Sequence, residues 1–404
     1  MVFLGVDWAE ESHDVCLMDE GGRVLGRAKV ANSLVGVSRI HELVDEHSSE
    51  AGEVVVGIET DRGLLVKVLL AAGYKIYAIN PLSVDRYRDR HSVSGAKSDA
   101  GDAKVLADLV RTDRDNQRPL AGDSDQVEAI KLLARAQESL IRTRQRQVNQ
   151  LRSALLEFYP AALEAFNDDL GGRDAMAILD YAPTPQKGRS VSRAKLVSAM
   201  RQAGRERNLE KRAADLQAIL RQPQLEQPPT LAAAYGVVVR SAVRLIRTFN
   251  RQLDELEQEL RQSFKLHPDA EIYLSLPGLG FVLGARVLGE FGDDPNRYQD
   301  AKARRAYSGV APITIASGMR KVVTTRFARN RHLANACIRA AFCSITPSPG
   351  CRAYYDELRG RGKTHQQALR ALANRLVGIL HGCLRHRTLY REDLAWPGQP
   401  AVAA

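Results

Sequence analysis

The sequence has few cysteines and no cysteine or histidine motif for a metal. Its 404 residues include five cysteines without a CxxC pair, and its nine histidines form no HxH or HExxH arrangement. Zinc fingers and zinc hydrolases depend on such spacings, so these two classes are not indicated. We expect the five cysteines to be reduced thiols in a cytosolic protein.

Long apolar runs and a balance of charge are also lacking. No apolar run approaches the roughly 18–20 residues that cross a bilayer, and the N-terminus has no signal-peptide pattern. The chain carries 58 Lys and Arg against 48 Asp and Glu, a net charge of +10. This excess favours a polyanionic partner, nucleic acid first, although a basic cytosolic protein without such a partner is the alternative.

Four acidic residues are placed where one metal site could form. Asp7 ends a strand that begins the chain, and Glu59 follows a second apolar strand. Asp99 and Asp102 are three residues apart, so they share one face of a predicted helix. Four converging carboxylates need cations, and such oxygen-rich sites suit Mg²⁺ or Mn²⁺, often for phosphodiester cleavage. The alternative for Asp99 is a chance acid on the helix surface.

Hydrophobic patterning predicts an α/β part followed by a helical part. Residues 1–120 give the order strand, strand, strand, helix, strand, helix, strand, helix, which is typical of a ribonuclease-H-like mixed sheet flanked by helices. Long amphipathic helices over 125–160 and 231–264 predict an antiparallel coiled-coil stalk, within one chain or between two. We therefore predict three domains, at 1–120, 121–268 and 269–404, with 167–230 the least informative stretch.

Basic residues and one glycine turn are the candidate nucleic-acid contacts. Leu276–Gly280 between two helices resembles a helix-hairpin-helix, whose turn offers backbone N–H groups to a phosphate. The alternatives are an ordinary corner between helices and, for the arginines of the first long helix, a solvated surface. The candidates are Arg135, Arg142, Arg146, Gly278, Gly280, Arg320, Lys321, Arg326, Arg329 and Arg331.

Together the motifs resemble those of the DEDD insertion-sequence transposases of the IS110 family, which also includes site-specific DNA invertases. The matching segments follow in family order over most of the chain, and only about 167–230 has no matching motif. The segments are the Asp7 strand, Ile58-Glu59-Thr60, Asn80-Pro81, the run from Lys97 to Ala103, the run from Leu276 to Gly280, the run from Tyr307 to Pro312, Ala316-Ser317-Gly318, and the stretch from Tyr354 to Lys363.

The resemblance implies a RuvC-like domain, a coiled-coil segment and a C-terminal transposase domain with helix-hairpin-helix and a nucleophilic serine. It implies that Asp7, Glu59, Asp99 and Asp102 bind Mg²⁺ or Mn²⁺. It also implies a noncoding bridge RNA that pairs with donor and target DNA. The protein would be a dimer or tetramer in which the acids of one subunit act with the serine of another, at the bacterial nucleoid in the cytoplasm.

Three serines in the C-terminal motifs are candidates for the nucleophile, namely Ser275, Ser308 and Ser317. A serine hydroxyl needs a base, a metal or a lowered pKa to attack phosphorus. Ser317 is favoured because it precedes Gly318 in a turn, because Arg320 and Lys321 could neutralise phosphate charge, and because it fits the family's Ser-Gly position best. The alternative is a turn serine bonded to its own backbone.

Two other functions fit the same residues less well. A RuvC-type junction resolvase would use the four acids with water as nucleophile and no serine. A nucleic-acid-binding accessory protein would need neither, and the presence of all four acids argues against it.

Overall fold

A computed structural model describes residues 1–91, 98–117, 119–120, 122–317, 320–326 and 329–397. The chain separates into two compact units, residues 1–122 and residues 123–404. The first unit is mixed α/β, and the second is mostly helical. This confirms the predicted order of an α/β part and a helical part. The finer division of the second unit at residue 268 stays a prediction.

The first unit is built on a five-stranded mixed sheet in the order β3-β2-β1-β4-β5. β2 runs antiparallel to β1 and β3, whereas β4 is parallel to β1 and β5. Ser33 caps the first helix by accepting a hydrogen bond from the Gly36 amide. The elements are β1 Val2–Asp7, β2 Ser12–Met18, β3 Val24–Ala31, α1 Leu34–Asp45, β4 Val54–Ile58, α2 Leu64–Ala71, β5 Lys75–Ala78, α3 Pro81–His91 and α4 Asp99–Asp113.

The sheet buries both of its faces, because successive strand residues point to opposite sides. Leu4 and Val6 of β1 belong to a core with α1 and α2 on one face. Phe3 of β1 and Val55 of β4 belong to a second core with α4 on the other face. Each fully buried Val or Leu contributes about 1.5–3 kcal/mol, which makes β1 and β4 the centre of this unit.

Two long helices pair antiparallel within the second unit. These are α5 Asp125–Phe158 and α11 Pro229–Lys265. Gln126 near one end of α5 donates to the Ser263 carbonyl (3.3 Å), and at the other end the rings of Phe158 and Tyr235 stack at 4.8 Å. The helical pair predicted from the sequence is therefore formed inside one chain.

The residues between the long helices form a small helical bundle on the far end of the pair. Its core joins Leu151 and Leu155 of α5 to Val239 and Val243 of α11. The basic stretch over 195–220 is helical but divided into two helices, because Gly204, just after the first, adopts a φ of +91°. The bundle helices are α6 Pro160–Ala165, α7 Arg173–Tyr181, α8 Pro185–Ser190, α9 Arg193–Gln202 and α10 Leu209–Leu220.

The C-terminal part packs on the opposite end of the helical pair. Val127 and Ile130 of α5, with Leu260 and Phe264 of α11, share its core. A two-stranded hairpin, β6 with β7, was not predicted from the sequence. The elements are α12 Ala270–Ser275, α13 Phe281–Phe291, α14 Ala301–Tyr307, β6 Ile313–Ser317, β7 Arg320–Thr324, α15 Arg331–Ser344, α16 Pro349–Gly360, α17 His365–His386 and α18 Glu392–Ala395.

Among the described residues, α11 alone is long and apolar enough, by length and composition, to cross a membrane. The expectation that no uninterrupted apolar run reaches this length still stands, because Arg240 and Arg244 interrupt the apolar residues of α11. The same test is passed by core helices of soluble proteins, and α11 buries Val239, Val243 and Ile246 inside the second unit. The helix is accounted for by these contacts.

Candidate active site: four acids at a sheet edge and a serine hairpin

Asp7 and Glu59 lie side by side at the carboxyl edge of the sheet. β1 and β4 are parallel neighbours, with Val6 opposite Ile58. Asp7 is the next residue on one strand, and Glu59 is the next residue after the other strand. Hydrogen-bonded strands lie about 4.8 Å apart, so the register brings these two carboxylates to one edge.

A pair of glycines brings helix α4 onto the sheet behind these acids. Gly5 and Gly57 are opposite each other in the register of β1 and β4. A Cβ added to Gly5 would overlap the Ala103 backbone oxygen, and one added to Gly57 would lie 2.6 Å from the Leu106 oxygen. The helix backbone therefore rests directly on strand backbone. Only glycine permits such an approach at both positions.

The start of α4 supplies the other two acids. Ser98 caps the helix by accepting a hydrogen bond from the Gly101 amide (3.2 Å). Asp99 and Asp102 occupy the first turn, where the partial positive charge of a helix N-terminus favours carboxylates. Asp99 is exposed, whereas Asp102 is 5% exposed.

Electrostatics show that all four predicted acids share one environment. The pKa of Asp7 is raised to about 6, first by burial and then by the charges of Asp102, Asp99, Glu59 and, more weakly, Asp14. These carboxylates therefore repel one another, and a hard cation would relieve the repulsion. The donor set fits Mg²⁺ or Mn²⁺, which prefer carboxylate oxygen. Within the described ranges, no three such side chains are yet close enough to hold an ion.

Arg88 of α3 is a site residue that the sequence analysis missed. Its guanidinium donates to Asp102 (2.5 Å) and to Asp85 (3.2 Å), and its side chain is 16% exposed. The guanidinium of Arg88 thus supplies a positive charge next to Asp102, the most buried of the four acids. The only signal in the sequence was a basic helix after Asn80-Pro81, and that helix itself was not predicted.

The three candidate serines have different surroundings. The Ser275 hydroxyl donates to the Ile272 carbonyl (2.7 Å) and accepts from the Tyr390 amide (2.9 Å). Ser308 is fully buried and donates to the Arg305 carbonyl (2.7 Å). Both hydroxyls are therefore engaged in hydrogen bonds to the backbone.

The third serine, Ser317, ends β6. Its backbone pairs with Arg320 at the start of β7. The side chains of Ser317, Arg320 and Lys321 lie outside the described residues, so the predicted roles of these three stay predictions.

Comparison with known proteins separates the same two regions. A transposase family model for the DEDD domain of IS110 elements matches residues 4–160, which include all four acids. A model of the IS116/IS110/IS902 transposase family matches residues 270–356, which include the three serines. The candidate transposase of the IS117 mini-circle of Streptomyces coelicolor is 43% identical over 98% of this chain and 96% of its own length. The chain belongs to the IS110 family of transposases.

More distant relatives of this transposase also align along nearly its whole length. A 42 kDa protein of insertion element IS900 from Mycobacterium paratuberculosis is 30% identical over 96% of this chain and 97% of its own length. A 43.6 kDa protein of element IS110 from Streptomyces coelicolor is 27% identical over 97% and 96%. The chain is accordingly an insertion-sequence transposase, an enzyme that acts on DNA.

The arginines predicted on α5 of the transposase differ in their contacts. Arg135 forms two hydrogen bonds to the buried Glu290 carboxylate (2.7 and 2.9 Å). Arg142 is exposed and pairs with Glu138, and Arg146 is exposed and donates to the Thr143 hydroxyl. Arg142 and Arg146 are therefore exposed to a polyanion, although Arg142 pairs with Glu138, whereas the carboxylate partner of Arg135 is buried.

The glycine turn of the transposase has a structural reason of its own. Gly278 has a φ of +82°, and an added Cβ would overlap the Ala340 backbone oxygen of α15. Gly280 is exposed and begins α13, with open space around it. Among the later basic residues, Arg329 and Arg331 are exposed, and Arg326 is half-buried. The predicted contact of these residues with nucleic acid stays a prediction.

Proposed function

We propose that this transposase cuts and rejoins DNA with a divalent-metal site and a serine nucleophile, guided by a noncoding bridge RNA of its element. The observation that carries the proposal is that the charges of Asp102, Asp99 and Glu59 reach Asp7 and, together with burial, raise its pKa. The strand order β3-β2-β1-β4-β5 supports a RuvC-like assignment of the first unit. We expect the reaction to occur in the cytoplasm.

The acids would hold Mg²⁺ or Mn²⁺ with Asp7 at the centre. The bound metal would supply positive charge against the scissile phosphate as negative charge builds there. Asp102 is oriented by Arg88, whose guanidinium donates a hydrogen bond to it. Glu59 reaches the same edge from the neighbouring strand, and the backbone contact at Gly5 and Gly57 fixes the distance between strand and helix.

Ser317 would attack the phosphorus through its hydroxyl oxygen. The attack forms a phosphoserine ester, breaks the bond to one deoxyribose oxygen, and releases the serine proton to a base or solvent. A DNA hydroxyl then displaces the serine and restores the phosphodiester, so bond energy is conserved and no ATP is needed. The hydrogen bonds of Ser275 and Ser308 to backbone groups support Ser317 as the nucleophile.

The acids and the serine belong to different compact units. This division is compatible with a dimer or tetramer in which one subunit supplies acids and another supplies the serine. Phosphate contacts by arginine carry no sequence information. Choice of donor and target DNA would therefore come from pairing with the RNA, as in other guided systems.

Strand exchange on supercoiled DNA carrying the element junction tests the proposal. Purified transposase, Mg²⁺ and the flanking noncoding RNA would be combined with wild type, Asp7→Ala or Ser317→Ala. We expect a covalent protein–DNA adduct that needs RNA and is lost in Ser317→Ala. Ser48→Ala is the matched control, because Ser48 is a half-buried serine of the first unit that donates to the Glu50 carbonyl.

Two outcomes would contradict the proposal. Cleavage that survives Ser317→Ala but is lost in Asp7→Ala would mean a metal nuclease of the resolvase type. Binding that is indifferent to both substitutions, without any cleavage, would mean an accessory protein. Exchange that proceeds equally without RNA would remove the guide from the proposal.

A further inference from the structure

One face of α17 carries a row of polar and basic positions. Arg370, Asn374, Gly378, His381 and Arg385 follow at intervals of three or four residues, so they line one side of the helix. Helix α14 packs along α17. The row is thus partly enclosed between the two helices rather than spread over open surface.

Helix α14 adds two arginines to this row. The Arg305 guanidinium lies over Gly378, and a Cβ added to that glycine would be 2.5 Å from the Arg305 Nε atom. Arg304 is 7% exposed and stacks over the rings of Phe291 (5.0 Å) and Tyr298 (4.5 Å). The glycine therefore makes room for one guanidinium, and the two rings support the other.

Many polar atoms in this place are buried without a partner. Within the described part of the chain, no hydrogen-bond partner exists for Nε and Nη1 of Arg304, Nε of Arg305, Nε of Arg370, Oδ1 of Asn374 and both ring nitrogens of His381. Each such group costs about 1–3 kcal/mol, and more when charged. The arginine N–H groups among them favour a ligand that accepts hydrogen bonds, such as an anion, whereas Oδ1 of Asn374 is an acceptor and does not contribute.

The charges that act on His381 are mainly positive. Burial lowers the pKa of His381, and the charges of Arg304, Arg385 and Arg305 lower it further, against a smaller effect of Asp300. Burial and the charge of Arg329 lower the pKa of Arg370. Asp300 is the acid nearby, and its carboxylate accepts from the Ala303 amide (2.6 Å) as the cap of α14.

The cluster also lies at the foot of the β6–β7 hairpin. Gly309, just before β6, has a φ of +72°, and an added Cβ would be 2.6 Å from the Cβ of Arg329, just after β7. The two ends of the hairpin that carries Ser317 are therefore close together, at Gly309 and Arg329. Arg329 is near enough to Arg370 for its charge to lower the pKa of Arg370.

We propose that the hairpin-foot arginines, defined as Arg304, Arg305, Arg329 and Arg370 together with His381, bind backbone phosphates of the DNA substrate beside the serine hairpin. The choice of DNA rests on the proposed function, because the hairpin carries the proposed nucleophile. From Arg370 to His381 the face spans about 17 Å of helix. Phosphates rise about 3.4 Å apart along one strand, so several fit.

The test measures binding of a random-sequence DNA duplex by fluorescence anisotropy over a range of salt concentrations. The variant is the full chain with Arg305→Gln and Arg370→Gln, which are only partly buried. Each lost phosphate contact reduces the slope of log affinity against log salt by about 0.9. We expect a slope smaller by about 2 and, near 0.1 M salt, affinity weaker by about 50-fold.

Two controls separate phosphate contact from general charge. Arg352→Gln with Arg361→Gln removes the same charge from exposed α16, where these arginines pair with Asp356 and Glu357. We expect little change in its salt slope. Arg305→Lys with Arg370→Lys keeps the charge and should recover most of the slope, which also shows that the fold tolerates substitution there.

The proposal fails if the glutamine pair binds DNA with an unchanged slope, or if the α16 control loses as much. An RNA duplex of the same sequence is the second arm, and weakening for RNA alone would overturn the assignment to DNA. The readout is binding and involves no adduct. A Ser317→Ala variant that still forms the adduct would therefore refute the nucleophile while leaving the hairpin-foot arginines standing.

Discussion

Replacing Asp7 with asparagine should stabilise the metal-free transposase while it abolishes activity. The Asp7 carboxyl has a pKa of about 6 in the folded protein against 3.8 ordinarily. An acid whose pKa is raised on folding destabilises the protein as pH rises from 3.8 through 6, and the penalty is complete above that range. About two pKa units correspond to about 3 kcal/mol, which we halve because Asp7 is partly exposed.

The assay is thermal unfolding of the full chain with a chelator present, near pH 7.5. A gain of about 1.5 kcal/mol in the first unit corresponds to a Tm higher by about 5 °C. At about pH 4 the difference should disappear, because wild-type Asp7 is then protonated in the folded protein. Added Mg²⁺ should raise the Tm of wild type and leave that of Asp7→Asn nearly unchanged.

The exposed Asp61 provides the matched control, since Asp61→Asn removes one carboxylate that does not contribute to the raised pKa of Asp7. Its Tm with chelator should change little. The reasoning is refuted if Asp7→Asn is no more stable than wild type near pH 7.5. It is also refuted if Mg²⁺ stabilises both proteins equally.

Three further perturbations follow from the packing. Gly57→Ala places a Cβ 2.6 Å from an α4 carbonyl oxygen, so denaturant titration should show a free energy of unfolding lower by about 1–3 kcal/mol, together with weaker Mg²⁺ binding. Gly52→Ala is the control, because Gly52 has open space around it, and it should show neither effect. Glu290→Gln weakens the buried pair with Arg135 and should lower the free energy of unfolding by about 2–4 kcal/mol at neutral pH. Since the pKa of Glu290 is lowered in the folded protein, this difference between variant and wild type should shrink as pH falls below 4.5. Ser308→Ala should cost about 1 kcal/mol yet still form the covalent adduct, and loss of the adduct in a folded Ser308→Ala protein would reopen the choice of nucleophile.

The four acids could be placed from sequence because strand and helix periodicity positions them. An acid that follows a buried strand lies at the edge of the sheet, and a spacing of three fixes Asp99 and Asp102 on one face. The glycine pair was equally readable in hindsight, since Gly5-Val6-Asp7 and Gly57-Ile58-Glu59 share one spacing. Its meaning required the register of β1 and β4, which is a long-range property.

Arg88 and the hairpin-foot arginines could not be placed in the same way. Arg88 meets Asp102 only because α3 and α4 pack together, and no local pattern specifies that contact. Arg305 and Gly378 lie on different helices and are about seventy residues apart in the sequence. The break between α9 and α10 has no clear signal in the sequence, because a glycine near a helical pattern is often tolerated, whereas here Gly204 adopts a positive φ.

The antiparallel pairing of α5 with α11 has a consequence for how the length of the chain between them can vary. Arg144 and Asn250 hydrogen-bond across the pair, and beyond them the buried residues of both helices face only the small bundle. Before them, the same helices face the core beneath the serine hairpin. The chain thus enters the bundle from α5 and leaves it through α11, and these two helices are neighbours. Evolution of the element can therefore lengthen, shorten or replace the bundle without moving the C-terminal part, which lies on the other side of the Arg144–Asn250 hydrogen bond.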